Sequence, residues 1–137
     1  MRNRVRAGRL VAVAAAGVLG VTGLAGTAEA NPYAPNVGYG YANVPAAVTC
    51  VQQFYNHFTP SPPIAVDGRF GPETYAAVKR LQSWVNVSYA GQFQLQVDGI
   101  FGKRSGDALI SIARGDWRLA EHYVSQCAYA LPTTRNL

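Results

Sequence analysis

Histidine and cysteine are scarce in this 137-residue chain, with two of each. A zinc site needs three or four protein ligands. His57 and His122, with no evident third ligand, therefore do not compose one. A cysteine nucleophile needs a free thiol beside a base. His122 and Cys127 have a tempting spacing, but no nucleophile–base set is complete, and no cofactor is expected. Charge is sparse as well, at 14% of residues. The net charge of +5 is concentrated at the start, where Arg2, Arg4, Arg6 and Arg9 stand. Without these four and Glu29, eight basic residues face six acidic ones, a balance that is no footprint for nucleic acid.

The first thirty residues have their own logic. A basic start is followed by an uncharged stretch from Leu10 to Gly26, rich in Ala, Gly and Val, and then by Ala28-Glu29-Ala30. That order is the pattern of a secretory signal peptide cleaved after Ala30. A membrane anchor is the competing reading, but the stretch is only weakly hydrophobic. The exported product would begin at Asn31 and form one small domain. Outside the cytoplasm an even cysteine count favours a Cys50–Cys127 disulfide. Free thiols or half of a zinc site are the alternatives.

Residues 31–45 mix Tyr33, Tyr39 and Tyr41 with Pro, Gly and Asn and show no periodicity. They read as an extended, mobile arm, with tyrosines that could instead stack on sugars or pack on the domain. Pro45 opens a helical stripe of Ala47, Cys50, Val51, Phe54 and Phe58, with Gln52, Gln53 and Asn56 placed opposite. Thr59-Pro-Ser-Pro-Pro63 stops it. Helices are expected again from Pro72 to about Asn86, burying Trp84 with Leu81, and from about Lys103 to Ala113. A further helix is expected over Asp116–Cys127.

An internal repeat governs the middle of the chain. Val66-Asp-Gly-Arg-Phe-Gly71 returns as Val97-Asp-Gly-Ile-Phe-Gly102. Asp67 and Asp98 can fold back onto backbone N–H groups, and Gly68 and Gly99 can take positive φ. Phe70 and Phe101 are expected to point inward. Gly71 and Gly102 lead into helix starts, where Pro72 needs no N–H. A paired-carboxylate centre made of Asp67 and Asp98 is the rival reading, but each carboxylate already has a turn to hold.

The stretch Val66-Asp-Gly-Arg-Phe-Gly-Pro-Glu-Thr-Tyr-Ala-Ala-Val-Lys-Arg-Leu-Gln82 resembles the V-D-G-x-F-G-P-x-T-x-x-A-V-x-x-F-Q hallmark of the peptidoglycan-binding-like domains. Leu81 replaces the usual aromatic. The resemblance spans about Val48 to Ile112. It implies a mainly α fold, a small three-helix bundle; the domain is read over residues 46–131, with an extra C-terminal segment tied by the disulfide, which is not part of the family's pattern, and a tail over 132–137. It also implies a module that holds enzymes on peptidoglycan. Here no catalytic domain is expected to follow.

The resulting expectation is a secreted, monomeric, non-enzymatic module, extracellular or wall-associated, that binds the stem peptide or glycan of peptidoglycan. It would engage no membrane after signal cleavage. The alternative is a secreted inhibitor or partner of another protein. The expected contacts are Arg69, Phe70, Thr74, Tyr75, Tyr89, Lys103 and Arg104, at the turns and helix starts, where cations and free N–H groups suit carboxylates.

Overall fold

Proline begins the first two helices. Pro45 and Pro72 occupy the first turns of α1 (Pro45–Phe58) and α2 (Pro72–Ser88), where a missing N–H costs nothing. Thr59 ends α1 in extended conformation before Pro60, as the proline requires. The third helix, α3 (Lys103–Arg114), starts without proline at the equivalent point of the second repeat. The computed structural model describes residues 31–134. The expected signal peptide and residues 135–137 of the expected tail lie outside that range.

The architecture is mainly helical, with no sheet among the described residues. The expected fourth helix is a composite: α4 (Trp117–Leu119), a π-helical turn over Ala120–Val124, and α5 (Ser125–Cys127). The three long helices enclose Phe54, Tyr55, Leu81, Phe101 and Leu109, each 1% exposed or less. Burying one such side chain contributes about 2–3 kcal/mol.

Two expectations change here. The arm is docked on the bundle rather than mobile. Val37 is fully buried and exchanges backbone hydrogen bonds with Phe101, at 3.1 and 2.8 Å. Phe101 therefore lies under a lid, whereas Phe70 is only half-buried, because its neighbour from the arm is the ring edge of Tyr39. The start of the expected tail is also packed. Thr133 is buried, and Asp107 of α3 accepts from the hydroxyls of Thr133 and Thr134. Gly106 admits this strand: a Cβ there would lie 1.9 Å from the Pro132 carbonyl oxygen. Asn31 and Pro132 pair in a parallel bridge, so both ends of the described chain converge.

Cys50 and Cys127 are bonded, with Cα atoms 5.7 Å apart and a sequence separation of 77. The thiol and half-zinc alternatives are thereby closed. The bridge pins α5 to α1, where hydrophobic contact alone is thin for two such short helical turns. Replacing both cysteines by serine should lower the unfolding free energy by about 4–5 kcal/mol, from the loop-closure entropy of so long a loop. Urea denaturation of the oxidised and double-serine proteins checks this, and coincident curves would contradict it.

Candidate functional site

Each Asp-Gly turn is held from below by a buried glutamine of the preceding helix. Gln52, on α1, accepts from the N–H groups of Asp67 (3.1 Å) and Gly68 (3.0 Å). Its amide nitrogen donates to the Asp67 carboxylate (2.9 Å), the Arg69 carbonyl and the Thr74 hydroxyl (both 3.2 Å). Gln82, on α2, does the same for the second turn. It accepts from Gly99 N–H (3.1 Å) and donates to the Asp98 carboxylate (3.1 Å), the Ile100 carbonyl (2.9 Å) and Ser105 Oγ (3.5 Å).

These residues correct the sequence reading. Gln52 was placed on the polar side of α1, yet it is 1% exposed, because the turn needs its amide as a two-faced template. Asn56 and Asn86, one helical turn further on, each clamp a backbone position in the descending loop. Asn56 exchanges two 2.8 Å bonds with Ile64, and Asn86 bonds of 2.7 and 2.9 Å with Leu95. The pattern Gln-x-x-x-Asn occurs at 52–56 and again at 82–86. Extending the repeat upstream of the Val-Asp-Gly motif finds it once a one-residue shift is allowed, because the motifs are offset by 31 residues and these pairs by 30.

Within the turns, the two aspartates make Asx hydrogen bonds. Asp67 accepts from Arg69 N–H and Asp98 from Ile100 N–H, both at 2.9 Å. Gly68 and Gly99 have φ of 69° and 78°, the left-handed region that favours glycine. Gly99 has a second reason to lack a side chain, since its Cβ would lie 2.1 Å from the Tyr75 ring. The second turn is thereby seated directly against α2.

What the turns leave outside is an aromatic and cationic face. Tyr39 of the arm meets Phe70 edge-on (5.3 Å between centroids) and Tyr75 at a tilt (5.1 Å). The Lys79 ammonium stands 5.7 Å from the Tyr75 ring centre. Arg69, next to Phe70 in the turn, is exposed and lines a cleft with Asp67, Phe70, Glu73 and Thr74, and Tyr39 keeps 56% of its surface open. Thr74, expected as a contact, is 3% exposed and spends its hydroxyl on the Arg69 carbonyl at 3.1 Å, so it supports the turn from within.

The other expected contacts lie elsewhere. Lys103 and Arg104 edge a second cleft with Asn36, Tyr41 and Asp98, and Arg104 donates to the Gln94 carbonyl at 2.8 Å. Tyr89 packs on Trp84 and Phe93, beyond the end of α2. Trp84 itself is half-buried, stacked on Phe58 at 5.6 Å. Among the described residues, no group of three His, Cys, Asp or Glu could hold a metal ion.

Residues 44–109 match the model of one family, described as "Putative peptidoglycan binding domain". The match takes in α1, both turns, α2 and the first half of α3. It stops short of Tyr39 on one side and Cys127 on the other. No curated protein and no solved structure matches the chain.

Two outcomes follow from the glutamine template. Gln52→Met, which keeps the unbranched length, strands the buried Gly68 N–H and should cost about 2–3 kcal/mol by chemical denaturation. Asp67 is held below the ordinary aspartate value, first by the Arg69 N–H and then by the Gln52 amide. Its stabilising effect is complete above the unfolded-state value near pH 4 and is lost as pH falls through the folded value. Acid titration of stability should therefore fall below about pH 4, and Asp67→Asn should flatten that fall.

Proposed function

Residues 44–109 are a domain of the peptidoglycan-binding family, and on that premise we propose that the chain is a secreted, non-catalytic module that binds bacterial cell-wall peptidoglycan. The observation that carries this reading is the ring cluster of exposed Tyr39 with half-buried Phe70 and Tyr75, with Lys79 against Tyr75 and the exposed Arg69 next to Phe70 in the turn. Peptidoglycan presents stem-peptide carboxylates next to aliphatic side chains and sugar rings. The Arg69 guanidinium offers a planar fork for a carboxylate, with Lys79 as a second positive charge. The ring cluster offers apolar area at little entropic cost, because its members already brace one another.

The face is rigid for a reason internal to the fold. Arg69 sits in a turn fixed by Gln52, Tyr75 on α2 against Gly99, and Tyr39 on an arm anchored by Val37. A site whose groups are already placed loses less on binding. Export through residues 1–30 belongs to the same reading. The disulfide supports it, since such bonds persist in oxidising compartments, and a cell-wall or extracellular location agrees with both bond and domain.

The disulfide-tied segment after residue 109 favours one further reading, a secreted partner or inhibitor of another protein built on the same domain. In that case a protein would co-elute with the chain in fixed ratio from culture supernatant.

The decisive test is sedimentation of the oxidised protein with purified insoluble peptidoglycan. At low salt it should be recovered mainly in the pellet. Arg69→Ala should weaken retention about tenfold, the loss of one charge-assisted contact. Recovery of the wild type in the supernatant would count against the proposal.

A further inference from the structure

Nine residues along α2 from Tyr75, about 14 Å at the helical rise, a second group of rings forms the floor of a groove. Phe58, Trp84, Tyr89 and Phe93 follow one another at centroid spacings of 5.6, 5.7 and 6.2 Å. All four are half-buried. The groove encloses about 520 Å³, within the range of small-ligand sites. Its far wall is Ile112, Gly115, Asp116 and Leu119, residues beyond the matched family segment. The appended C-terminal segment therefore completes it.

The chemistry of the lining selects among the components of the wall. The polar lining is His57, Gln92, Ser111 and Asp116, and no Lys or Arg lines the groove. An anionic stem peptide would meet the Asp116 carboxylate there and neither a guanidinium nor an ammonium group. A sugar ring has an apolar C–H face and an equator of hydroxyl and acetamido groups. It matches an aromatic floor with an uncharged amide, a hydroxyl and a hydrogen-bond-accepting carboxylate at its edge.

We infer that this groove is a second binding site, which takes the N-acetylated hexosamine rings of the glycan strand. The inference rests on the wall-binding reading above and deepens it. The Arg69 face engages the charged peptide, and the aromatic groove engages the neutral sugar. Nine residues are two and a half helical turns, so the two sites look out from opposite sides of α2 and do not compete for one surface. The disulfide then has a functional consequence, because it holds the segment that supplies one wall of the sugar site.

The test is an NMR titration of the full oxidised chain with a soluble β-1,4-linked N-acetylglucosamine hexamer, run beside the peptidoglycan sedimentation. Saturable shifts of the Trp84, Tyr89 and Phe93 ring signals are expected. Tyr89→Leu and Phe93→Leu keep apolar volume but remove a flat face. Each should weaken hexamer binding about tenfold, one to two kcal/mol of ring contact, with unchanged far-UV dichroism. Arg69→Ala should leave hexamer binding unaltered. Sedimentation with peptidoglycan but no ring shifts with hexamer would overturn the groove assignment and leave the wall-binding reading standing. Failure of both would overturn both. Hexamer binding that survives both leucine variants would also reject the groove, as would a co-purifying protein seated on these rings.

Discussion

Each half of the fold depends on one primary amide buried between a helix and the turn that launches the next. A tight Asp-Gly turn turns its N–H groups and carbonyls inward, where water cannot satisfy them, and leaving such groups unpaired is costly. A glutamine answers this with both faces. Its oxygen accepts from the turn, and its nitrogen donates to the aspartate, to a carbonyl two residues on, and to the hydroxyl that starts the following helix. Helix, turn and next helix are thereby fixed by a single side chain. The second repeat uses the same device with Gln82, Asp98 and Ser105. The bundle is in this sense two copies of a hinge locked by an amide, and hydrophobic packing fills the angle that the locks define.

The copies share the lock and differ in what they show to solvent. The first turn carries Arg69 and a half-buried Phe70, and α2 follows with Pro72 and Glu73. The second carries Ile100 and a buried Phe101, and α3 follows with Lys103 and Arg104. The arm enforces the difference. Val37 roofs Phe101 with two backbone hydrogen bonds, while Tyr39, two residues later, leans on Phe70 and Tyr75 and remains half-open. One scaffold thus gives a sealed repeat and an open one, and the aromatic cluster of Tyr39, Phe70 and Tyr75 forms on the open one.

Much of this was legible in one dimension. The three long helices followed from apolar spacing and from Pro45 and Pro72, and the turns from Asp-Gly with its repeat. The pairing of Cys50 with Cys127 was the favoured reading of two cysteines in a chain whose start reads as an export signal. The site was legible only in part. Phe70 and Tyr75 both meet Tyr39 and Arg69 is exposed in the same turn, but Thr74 turns inward, Tyr89 belongs to another groove, and Lys103 and Arg104 edge a third place. Spacing along a motif says which residues are near the turn. It does not say which side of the turn each side chain leaves by.

The sequence by itself determined the local events: where helices start and stop, which glycines must be left-handed, and which apolar stripe faces inward. These depend on backbone sterics and on periodicities of a few residues. Tertiary structure decided everything that required two distant segments to meet. A polar residue opposite an apolar stripe reads as solvent-facing until a turn fifteen residues away descends on it, as happens to Gln52. An aperiodic Tyr-Pro-Gly stretch reads as a free arm until Val37 finds an unpaired backbone edge at Phe101. Such pairings have no signature in local pattern, because their stabilisation comes from burying polar groups against partners that only the closed fold supplies.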